Sequence, residues 1–262
     1  MTNQIKCACS NFYESDAVKY LLGHSFHPGG LALTQKMGEA VGLKSGHNLL
    51  DVASGQGTSA CFLARTFGCS ATGVDLSKKN LELARSRARQ EGIEDKVSFV
   101  PGDAESLPFA EKQFDVVVSE CAFCTFPSKE IAAREKFRVL KPGGHLGFTD
   151  MAVDQQRLPE EMKDMLFHAA CVADARTVEE YHQILGDAGF IHLTAVDCRE
   201  ALSQMLADIK QRLFMAELAV GLKKLHLGDI DFAKGKSWLA LGEKLLYEGV
   251  ISYVLITGQR PE

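Results

Sequence analysis

The chain has no run of apolar residues that approaches the ~20 needed to cross a bilayer. Its first residues, Met1 to Cys7, also lack the apolar core of a signal peptide. Positive charge is scarce, since 29 Lys and Arg stand against 34 Asp and Glu, a net charge of −5. This balance gives no electrostatic reason to expect a nucleic-acid partner. We therefore expect a soluble, cytoplasmic protein that binds neither nucleic acid nor membranes.

Internal repeats and low-complexity tracts are also missing from the sequence. A chain of 262 residues with 46% hydrophobic content can bury one substantial core, so one large α/β domain with an insertion is expected. Eight cysteines are present. In a reducing cytosol they are expected to be buried thiols or ligands rather than disulfides.

Strand-like and helical segments alternate from about residue 36 to about residue 200. Five buried strands are predicted, at 47–53, 70–75, 97–100, 114–119 and 145–150. The last of them is introduced by a Lys-Pro-Gly-Gly turn, and helices are predicted over 58–67 and from Ser77 to about Gly92. Strands separated by helices form parallel crossovers, so the pattern predicts a doubly wound α/β fold with a mostly parallel sheet.

Two more predicted strands, 190–198 and 249–257, are separated by about fifty residues of mostly helical periodicity, and connections of that length are usually structured insertions with a function. The predicted organisation is an N-terminal lid segment over 1–35, a core over 36–199, a helical cap on the substrate side over 200–248 and the last core strand within 249–262.

The most informative motif is Leu-Leu-Asp-Val-Ala-Ser-Gly-Gln-Gly-Thr at 49–58, in which Asp51 lies near the end of a strand and precedes a Gly-x-Gly turn. A turn that binds phosphate aims backbone N–H groups and a helix N-terminus at an anion, so this carboxylate is a poor neighbour for phosphate. A ligand with an ammonium group has no such difficulty. The motif favours S-adenosylmethionine, which carries an adenosine, an ammonium, a carboxylate and a sulfonium, over a dinucleotide.

Two more acids follow the next two strands. Asp75 stands 18 residues after Gly57 at the end of the second strand, where a carboxylate can accept hydrogen bonds from both ribose hydroxyls. Asp103 follows the third strand, where it can accept from the exocyclic amine of adenine. Each acid alone is equally well explained as a helix cap or turn residue, but three at successive strand ends indicate an adenosine site.

Five segments resemble the ordered motifs of class I S-adenosylmethionine-dependent methyltransferases: the run at 49–58, Gly-Val-Asp-Leu-Ser, Gly-Asp-Ala-Glu-Ser-Leu-Pro-Phe, Phe-Asp-Val-Val-Val-Ser and Val-Leu-Lys-Pro-Gly-Gly. The resemblance covers about residues 45–150 and implies a Rossmann-like sheet of seven strands whose last strand is antiparallel. The cofactor residues that follow from it are Asp51, Ala53, Gly55, Gln56, Gly57 and Thr58 around the methionine moiety, Asp75 and Leu76 at the ribose, Asp103 and Ala104 at the adenine, and Ser119 beside the transferred methyl. A dinucleotide-dependent oxidoreductase is the alternative.

The acceptor has to be inferred separately, because methyl transfer needs little from the protein beyond placing a nucleophile in line with the sulfonium methyl. Cys121 and Cys124 directly follow the fourth strand and Cys171 follows the fifth, at the strand ends where such sheets bind ligands. Cys7 and Cys9 lie on the predicted lid. These positions predict thiols near the reactive end of the cofactor.

Ser-Glu-Cys after the fourth strand, with Cys-Val-Ala-Asp-Ala and Glu-Tyr-His-Gln-Ile-Leu-Gly-Asp-Ala-Gly-Phe further on, resembles the arsenite methyltransferases. The resemblance implies that Cys121 and Cys171 bind trivalent arsenic and that an N-terminal cysteine, Cys7 or Cys9, contributes. Arsenic(III) is soft and thiophilic, so thiolates suit it better than carboxylates.

Other readings of the acceptor site stay open, because Glu120 and Cys124 depart from the arsenite pattern and the 200–248 insertion is more similar to caps of enzymes that act on amines, phenols or quinones. An organic acceptor is therefore the alternative. The histidines and the tyrosine that can serve the cofactor or a substrate proton are His24 and His27 on the lid loop, His168 before Cys171, and Tyr13.

A third possibility is a cysteine-rich metal-binding protein that has kept the fold and lost the chemistry. Cys-x-Cys at 7 and 9, or Cys-x-x-Cys at 121 and 124, is compatible with zinc, but neither has a second pair at a recognisable spacing. Cys61, Cys69 and Cys198 are predicted to be buried structural thiols.

Overall fold

The computed structural model describes residues 27–163, 171–222 and 231–262. Most of the predicted lid lies outside the described residues, and so do five of the side chains singled out from the sequence, Cys7, Cys9, Tyr13, His24 and His168.

Within the described ranges the chain alternates strands and helices. The strands are β1 (Asn48–Val52), β2 (Ser70–Asp75), β3 (Val97–Pro101), β4 (Phe114–Glu120), β5 (Leu140–Val153), β6 (Ile191–Asp197) and β7 (Ile251–Gln259). The helices are α1 (Gly30–Ala40), α2 (Thr58–Phe67), α3 (Lys78–Gln90), α4 (Lys129–Val139), α5 (Val178–Asp187), α6 (Arg199–Gly221) and α7 (Phe232–Tyr247), with short 3-10 turns at Phe123–Thr125 and Glu160–Met162.

The seven strands form one sheet in the order β3-β2-β1-β4-β5-β7-β6. β1 pairs in parallel with β2 and β4, and β4 with β5, whereas β7 runs antiparallel to both β5 and β6. The predicted Rossmann-like fold, a doubly wound seven-stranded sheet with an antiparallel last strand, is confirmed. The carboxyl ends of β1, β2 and β4 therefore meet at one edge of the sheet, where such folds bind ligands.

Alternate residues along the strands face two separate cores. Leu49 and Val116 lie in one apolar cluster, while their neighbours Leu50 and Val117 lie in the other. Because both faces of the sheet are covered, these strands read as continuous apolar runs, which is typical of parallel sheets.

The start of β5 differs from the prediction. Leu140 already pairs with Phe114, and the register then shifts so that His145 pairs with Val116. The Lys-Pro-Gly-Gly segment is thus a bulge inside the strand rather than a turn before it, because Leu140 is itself buried and pairs upstream of the bulge.

α6 and α7 occupy the long connection between β6 and β7 and pack on each other. Leu202 of α6 and Leu245 of α7 are buried in the same core as Leu33 of α1. A methyl group added at Gly29 would lie 3.2 Å from the Ala201 Cβ, so the first turn of α6 lies against the start of α1. In the described ranges no helix has both the length and the apolar character that a bilayer crossing requires.

Candidate active site

A cavity of about 200 Å³ opens at the carboxyl edge of the sheet. Eight of the predicted cofactor residues line it, namely His27, Ala53, Gly55, Gln56, Asp75, Leu76, Asp103 and Ala104. Cys121 lines it as well, so one predicted acceptor thiol shares a wall with the predicted cofactor residues. Asp51, Gly57, Thr58 and Ser119 are not among its lining residues.

The turn between β1 and α2 is built around two glycines. Gly57 has φ of +73°, and a Cβ there would lie 2.5 Å from the ring of Phe99, so both backbone and packing exclude a side chain. Gly55 has φ of +52° and nothing within 4 Å of such a Cβ, so it leaves open space at the cavity wall. Gly57 is the N-cap of α2, and Thr58 is the first residue of that helix.

Asp51 behind this turn is a buried acid in an unfavourable setting. Its side chain is 2% exposed, and among the described residues its Oδ2 has no hydrogen-bond partner. Burial, and then the nearby carboxylates of Glu120 and Asp75, raise the pKa of Asp51 to about 8. A cation brought close would relieve this repulsion and a phosphate would increase it, so Asp51 fits a ligand with ammonium and sulfonium groups.

Asp75 is held by the backbone on both sides. Its Oδ2 accepts a hydrogen bond from the Gly55 N–H at 2.8 Å and its Oδ1 accepts one from the Ser77 N–H at 2.8 Å. A carboxylate oxygen can accept more than one bond, so the fixed group retains acceptor capacity toward the cavity for ribose hydroxyls. Asp103 is similarly fixed by the Glu105 N–H at 3.0 Å.

Glu120 is a site residue whose role the sequence analysis did not recognise. Its side chain is 4% exposed, lines the cavity, and accepts hydrogen bonds from the hydroxyls of Thr34 on α1 and Ser59 on α2. His27 Nε2 lies 3.5 Å from Glu120 Oε2. Glu120 ends β4 as Asp75 ends β2, and this shared strand-end position is the sequence signal that could have identified it.

Ser119 lies beneath the cavity wall rather than on it. The side chain is fully buried, and its Oγ accepts a hydrogen bond of 2.8 Å from Lys136 Nζ. Lys136 is also fully buried, with Nζ 4.3 Å from the centroid of the Phe123 ring, and burial lowers its pKa to about 7. Glu120, the next residue of β4, does line the cavity, because successive side chains of a strand point to opposite sides. The position of Ser119 relative to the transferred methyl stays a prediction.

Cys121, Cys171 and Asp150 form a cluster in which both sulfurs and a carboxylate oxygen lie within 4.8 Å of one another. The Cys171 thiol donates to the Cys121 carbonyl oxygen at 3.2 Å. Both cysteines have left-handed backbones, with φ of 50° and 63°, which is unusual for residues with a side chain. Hydrogen bonding to Cys171, followed by burial, raises the pKa of the Cys121 thiol well above its usual value.

Burial also shifts the pKa values of Asp150, a member of this cluster, and of Cys124 in the 3-10 turn that follows Cys121. Burial, then the Cys171 thiol, raises the pKa of Asp150 to about 7, and burial raises the pKa of the Cys124 thiol well above its usual value. Cys61, Cys69 and Cys198 are all buried in the core, as predicted.

The fold and the acid-lined cavity define the class of S-adenosylmethionine-dependent methyltransferases, and the predicted cofactor is confirmed. A family model described as a methyltransferase domain matches residues 43–189, more than half of the chain. The protein belongs to this methyltransferase-domain family.

Similar proteins differ in what they act on. The methyltransferase GfsG of Streptomyces halstedii is 34% identical over 175 residues, which are 65% of this chain and 62% of that protein. An arsenite methyltransferase of Aquipseudomonas alcaligenes is 31% identical over 186 residues, 65% of this chain and 54% of that protein. The chain thus spans less than two thirds of either relative. Others of comparable identity are named as O- or N-methyltransferases, so the relatives do not single out an acceptor.

The fold itself recurs in a solved structure. Phosphoethanolamine N-methyltransferase 2 of Haemonchus contortus, in complex with S-adenosylmethionine, superposes with a TM-score of 0.82 at 22% identity and covers 98% of this chain and 60% of that one.

Proposed function

We propose that the protein transfers a methyl group from S-adenosylmethionine to trivalent arsenic held by Cys121 and Cys171. One observation carries this proposal: two cysteines 50 residues apart bring their sulfurs within 4.8 Å of each other, and one of them lines the cavity with the cofactor residues. Two adjacent thiols are the donor set that a soft, thiophilic metalloid requires.

The residues that would hold the cofactor follow from the cavity. Asp51 lies where a positive charge is favoured, Asp75 offers fixed acceptor oxygens for a ribose, and Asp103 with Ala104 lines the part of the wall assigned to the adenine. When bound, the cofactor supplies an electrophilic methyl on a cationic sulfur. The task of the protein is then to exclude water and to place a nucleophile beside that methyl.

Arsenic capture is a condensation and leaves the thiols' oxidation state unchanged. Each S–H replaces one As–OH of arsenous acid, an As–S bond forms, and the thiol proton leaves in the released water. The raised pKa values of the thiols are therefore no obstacle, because no free thiolate has to persist beforehand. The lone pair of the bound arsenic(III) would form the As–C bond as the bond between the methyl and the sulfonium sulfur breaks. That bond's electron pair would stay on the leaving sulfur, and arsenic would become formally pentavalent.

The backbone at the two cysteines supports a functional role. A non-glycine residue with positive φ costs about 1–3 kcal/mol, and such strain concentrates at active sites and ligand clamps. Cys121 and Cys171 both carry it, at φ of 50° and 63°. Glycine would adopt these backbone angles without that cost, so the strain at these two positions supports a ligand-binding role for the thiols.

We also propose that α6 and α7 form the cap on the substrate side that the sequence predicts over 200–248. Supporting this role, the first turn of α6 packs at Ala201 against Gly29, two residues from His27 on the cavity wall. The helix pair is thereby tied to the segment that borders the cavity.

A second candidate is methylation of an organic hydroxyl or amine, favoured by Glu120. This carboxylate lines the cavity beside Cys121 with an imidazole 3.5 Å away, and a carboxylate with an imidazole can remove a proton from an attacking group. Relatives named as O- and N-methyltransferases are consistent with it.

The test is incubation with methyl-labelled S-adenosylmethionine and arsenite under a phosphine reductant, and separately with a panel of amines and phenols. Label is expected on arsenic with the wild type and with Cys61→Ser, a control at a buried cysteine of α2, and is expected to be lost with Cys121→Ser and Cys171→Ser. Label only on an organic acceptor, with loss in Glu120→Gln, would establish the second candidate. Arsenic methylation that survives both cysteine substitutions would remove the thiols from the site.

A further inference from the structure

Asp150 is a fully buried acid to which the proposed reaction gives no part, although its carboxylate lies beside the sulfurs of Cys121 and Cys171. Arsenic capture needs the two thiols alone. We propose that Cys121, Cys171 and Asp150 together form a site for a thiophilic divalent cation such as Zn²⁺, with the fourth ligand position open to the cavity. The inference uses the same two thiols as the proposed function but does not depend on arsenic as the methyl acceptor.

The three side chains offer a donor set that zinc takes in proteins. Zinc binds thiolate sulfur at about 2.3 Å and carboxylate oxygen at about 2.0–2.2 Å with tetrahedral geometry, which puts ligand atoms about 3.6–3.8 Å apart. The ligand atoms of Cys121, Cys171 and Asp150 all lie within 4.8 Å of one another. Each pair therefore has to approach by at most about 1.2 Å to close around the ion.

The carboxylate separates a divalent cation from arsenic(III). Zinc accepts thiolate sulfur and carboxylate oxygen in one site, whereas a soft metalloid is satisfied by the sulfurs. The sequence offers Cys121 and Cys124 as a spaced pair for zinc, but the three-membered group found among the described residues joins Cys121 to Cys171 and Asp150. The third ligand comes from β5, far from either cysteine along the chain.

Backbone groups hold two of the three ligands in place before a cation arrives. Asp150 Oδ2 accepts a hydrogen bond from the Cys124 N–H at 2.9 Å, and its Oδ1 accepts one from the Met151 N–H at 2.8 Å. The Cys121 N–H donates to the Thr149 carbonyl oxygen at 2.7 Å. Carboxylates that bind metals are commonly hydrogen-bonded in this way, which fixes their orientation.

The segment that bears Cys171 is fixed by two further contacts. Gln155 Nε2 donates a hydrogen bond to the Val172 carbonyl oxygen at 3.0 Å. Lys129, which is 2% exposed, pairs through Nζ with Asp174 Oδ2 at 2.5 Å. The third ligand is thus held against β5 on one side and α4 on the other.

The cavity provides the entry path and the fourth ligand position. Cys121 lines the cavity, whereas Cys171 is 2% exposed and Asp150 is fully buried. A cation therefore meets solvent on the side of Cys121, where a water can complete the tetrahedron, as in zinc sites with three protein ligands and an open position. Binding displaces the two thiol protons to solvent and transfers no electrons. Because both sulfurs are then occupied, the cation excludes arsenic(III).

Cobalt(II) is the probe, because tetrahedral cobalt bound to thiolates absorbs visible and near-ultraviolet light and zinc does not. Titration of the wild type under a phosphine reductant should give this spectrum at one equivalent, and Zn²⁺ should erase it. Loss of a contact that merely orients a ligand weakens metal binding by 10–100-fold, so Asp150→Asn, Cys121→Ser and Cys171→Ser should each weaken it by at least about tenfold. The controls Cys61→Ser, in α2, and Asp115→Asn, near the start of β4, should bind as the wild type does.

Phenylarsine oxide reports on the thiol pair alone, since its arsenic bonds to two sulfurs and one carbon. Asp150→Asn should bind it within about twofold of the wild type, which shows that the variant is folded, and both cysteine variants should bind it weakly. Bound phenylarsine oxide should also prevent the cobalt spectrum. X-ray absorption at the zinc edge of the wild type, which requires no variant to fold, should show two sulfur and two oxygen ligands.

Cation binding that is unchanged in Asp150→Asn or in either cysteine variant, or a zinc shell without two sulfurs, would overturn the inference. The proposed function fails separately: cation binding at these residues without transfer of label to arsenic would refute the reaction and leave the cation site standing.

Discussion

Replacing Asp51 by asparagine should stabilise the cofactor-free protein, by an amount that grows with pH. The side chain is 2% exposed, and its pKa is raised from 3.8 to about 8. Between those values the folded protein holds the proton and the unfolded chain releases it, so the free energy of unfolding falls as pH rises. The slope is about 1.4 kcal/mol per pH unit, so the wild type should lose nearly 3 kcal/mol between about pH 5 and about pH 7 that Asp51→Asn retains.

Denaturant unfolding of both proteins at several pH values without cofactor measures this difference. Asp115→Asn is the control. The Lys141 ammonium holds the pKa of Asp115 below its usual range, so this carboxylate is ionised in both states above about pH 5 and its removal should shift stability by a constant amount. If the free energies of unfolding of the wild type and Asp51→Asn differ by a constant amount over the same pH range, Asp51 is not protonated in the folded protein. The argument for a cation site would then fail as well.

Cofactor binding should reverse the protonation of Asp51. A positive charge beside the carboxylate lowers its pKa, so binding S-adenosylmethionine near about pH 7 should release nearly one proton. Calorimetry in buffers of different ionisation enthalpy measures that proton. Asp51→Asn should release none and bind more weakly, and equal proton release by the two proteins would contradict the assignment.

Three further predictions address separate parts of the molecule. Asp75→Ala should abolish thermal stabilisation by S-adenosylmethionine. In the wild type, cofactor at one hundred times the dissociation constant should raise the free energy of unfolding by about 2.7 kcal/mol. An undiminished rise in the melting temperature of Asp75→Ala would exclude Asp75 from the site. Cys121→Gly should be more stable than Cys121→Ala by about 1 kcal/mol in chemical denaturation, because φ is 50° there, and the opposite order would show that the backbone is unstrained. Burial lowers the pKa of Lys136 from 10.5 to about 7, so between these values the unfolded chain holds a proton that the folded protein has lost. The stability of the wild type relative to Lys136→Met should therefore rise by about 1.4 kcal/mol per pH unit from about pH 8 to about pH 9. Parallel pH curves for the two proteins would contradict this.

The cofactor half of the site was predictable because its geometry is local. α2 begins at Thr58 and ends at Phe67 as predicted, and the acids at 51, 75 and 103 lie at or next to strand ends. In a parallel sheet such positions converge whatever the rest of the chain does. The glycine turn, the lengths of the strands and the spacing of the three acids were therefore enough to predict most of the cavity.

The acceptor half depends on contacts that sequence spacing does not determine. Whether Ser119 or Glu120 faces the cavity depends on how β4 pairs with its neighbours, which sets the phase of its side chains. The burial of Lys136 could have been predicted from the sequence, since it falls four residues after Ala132 and three before Val139 on the buried face of α4. Its environment, a serine hydroxyl beneath the cavity wall, arises only when β4 and α4 pack together.

A crystal structure with S-adenosylhomocysteine and arsenite tests the central claim most directly. We expect the nucleoside in the cavity beside Asp75 and Asp103, and arsenic bonded to the sulfurs of Cys121 and Cys171 at the wall that Cys121 shares with the cavity. A filled cofactor cavity with arsenic bonded to neither sulfur would contradict the account.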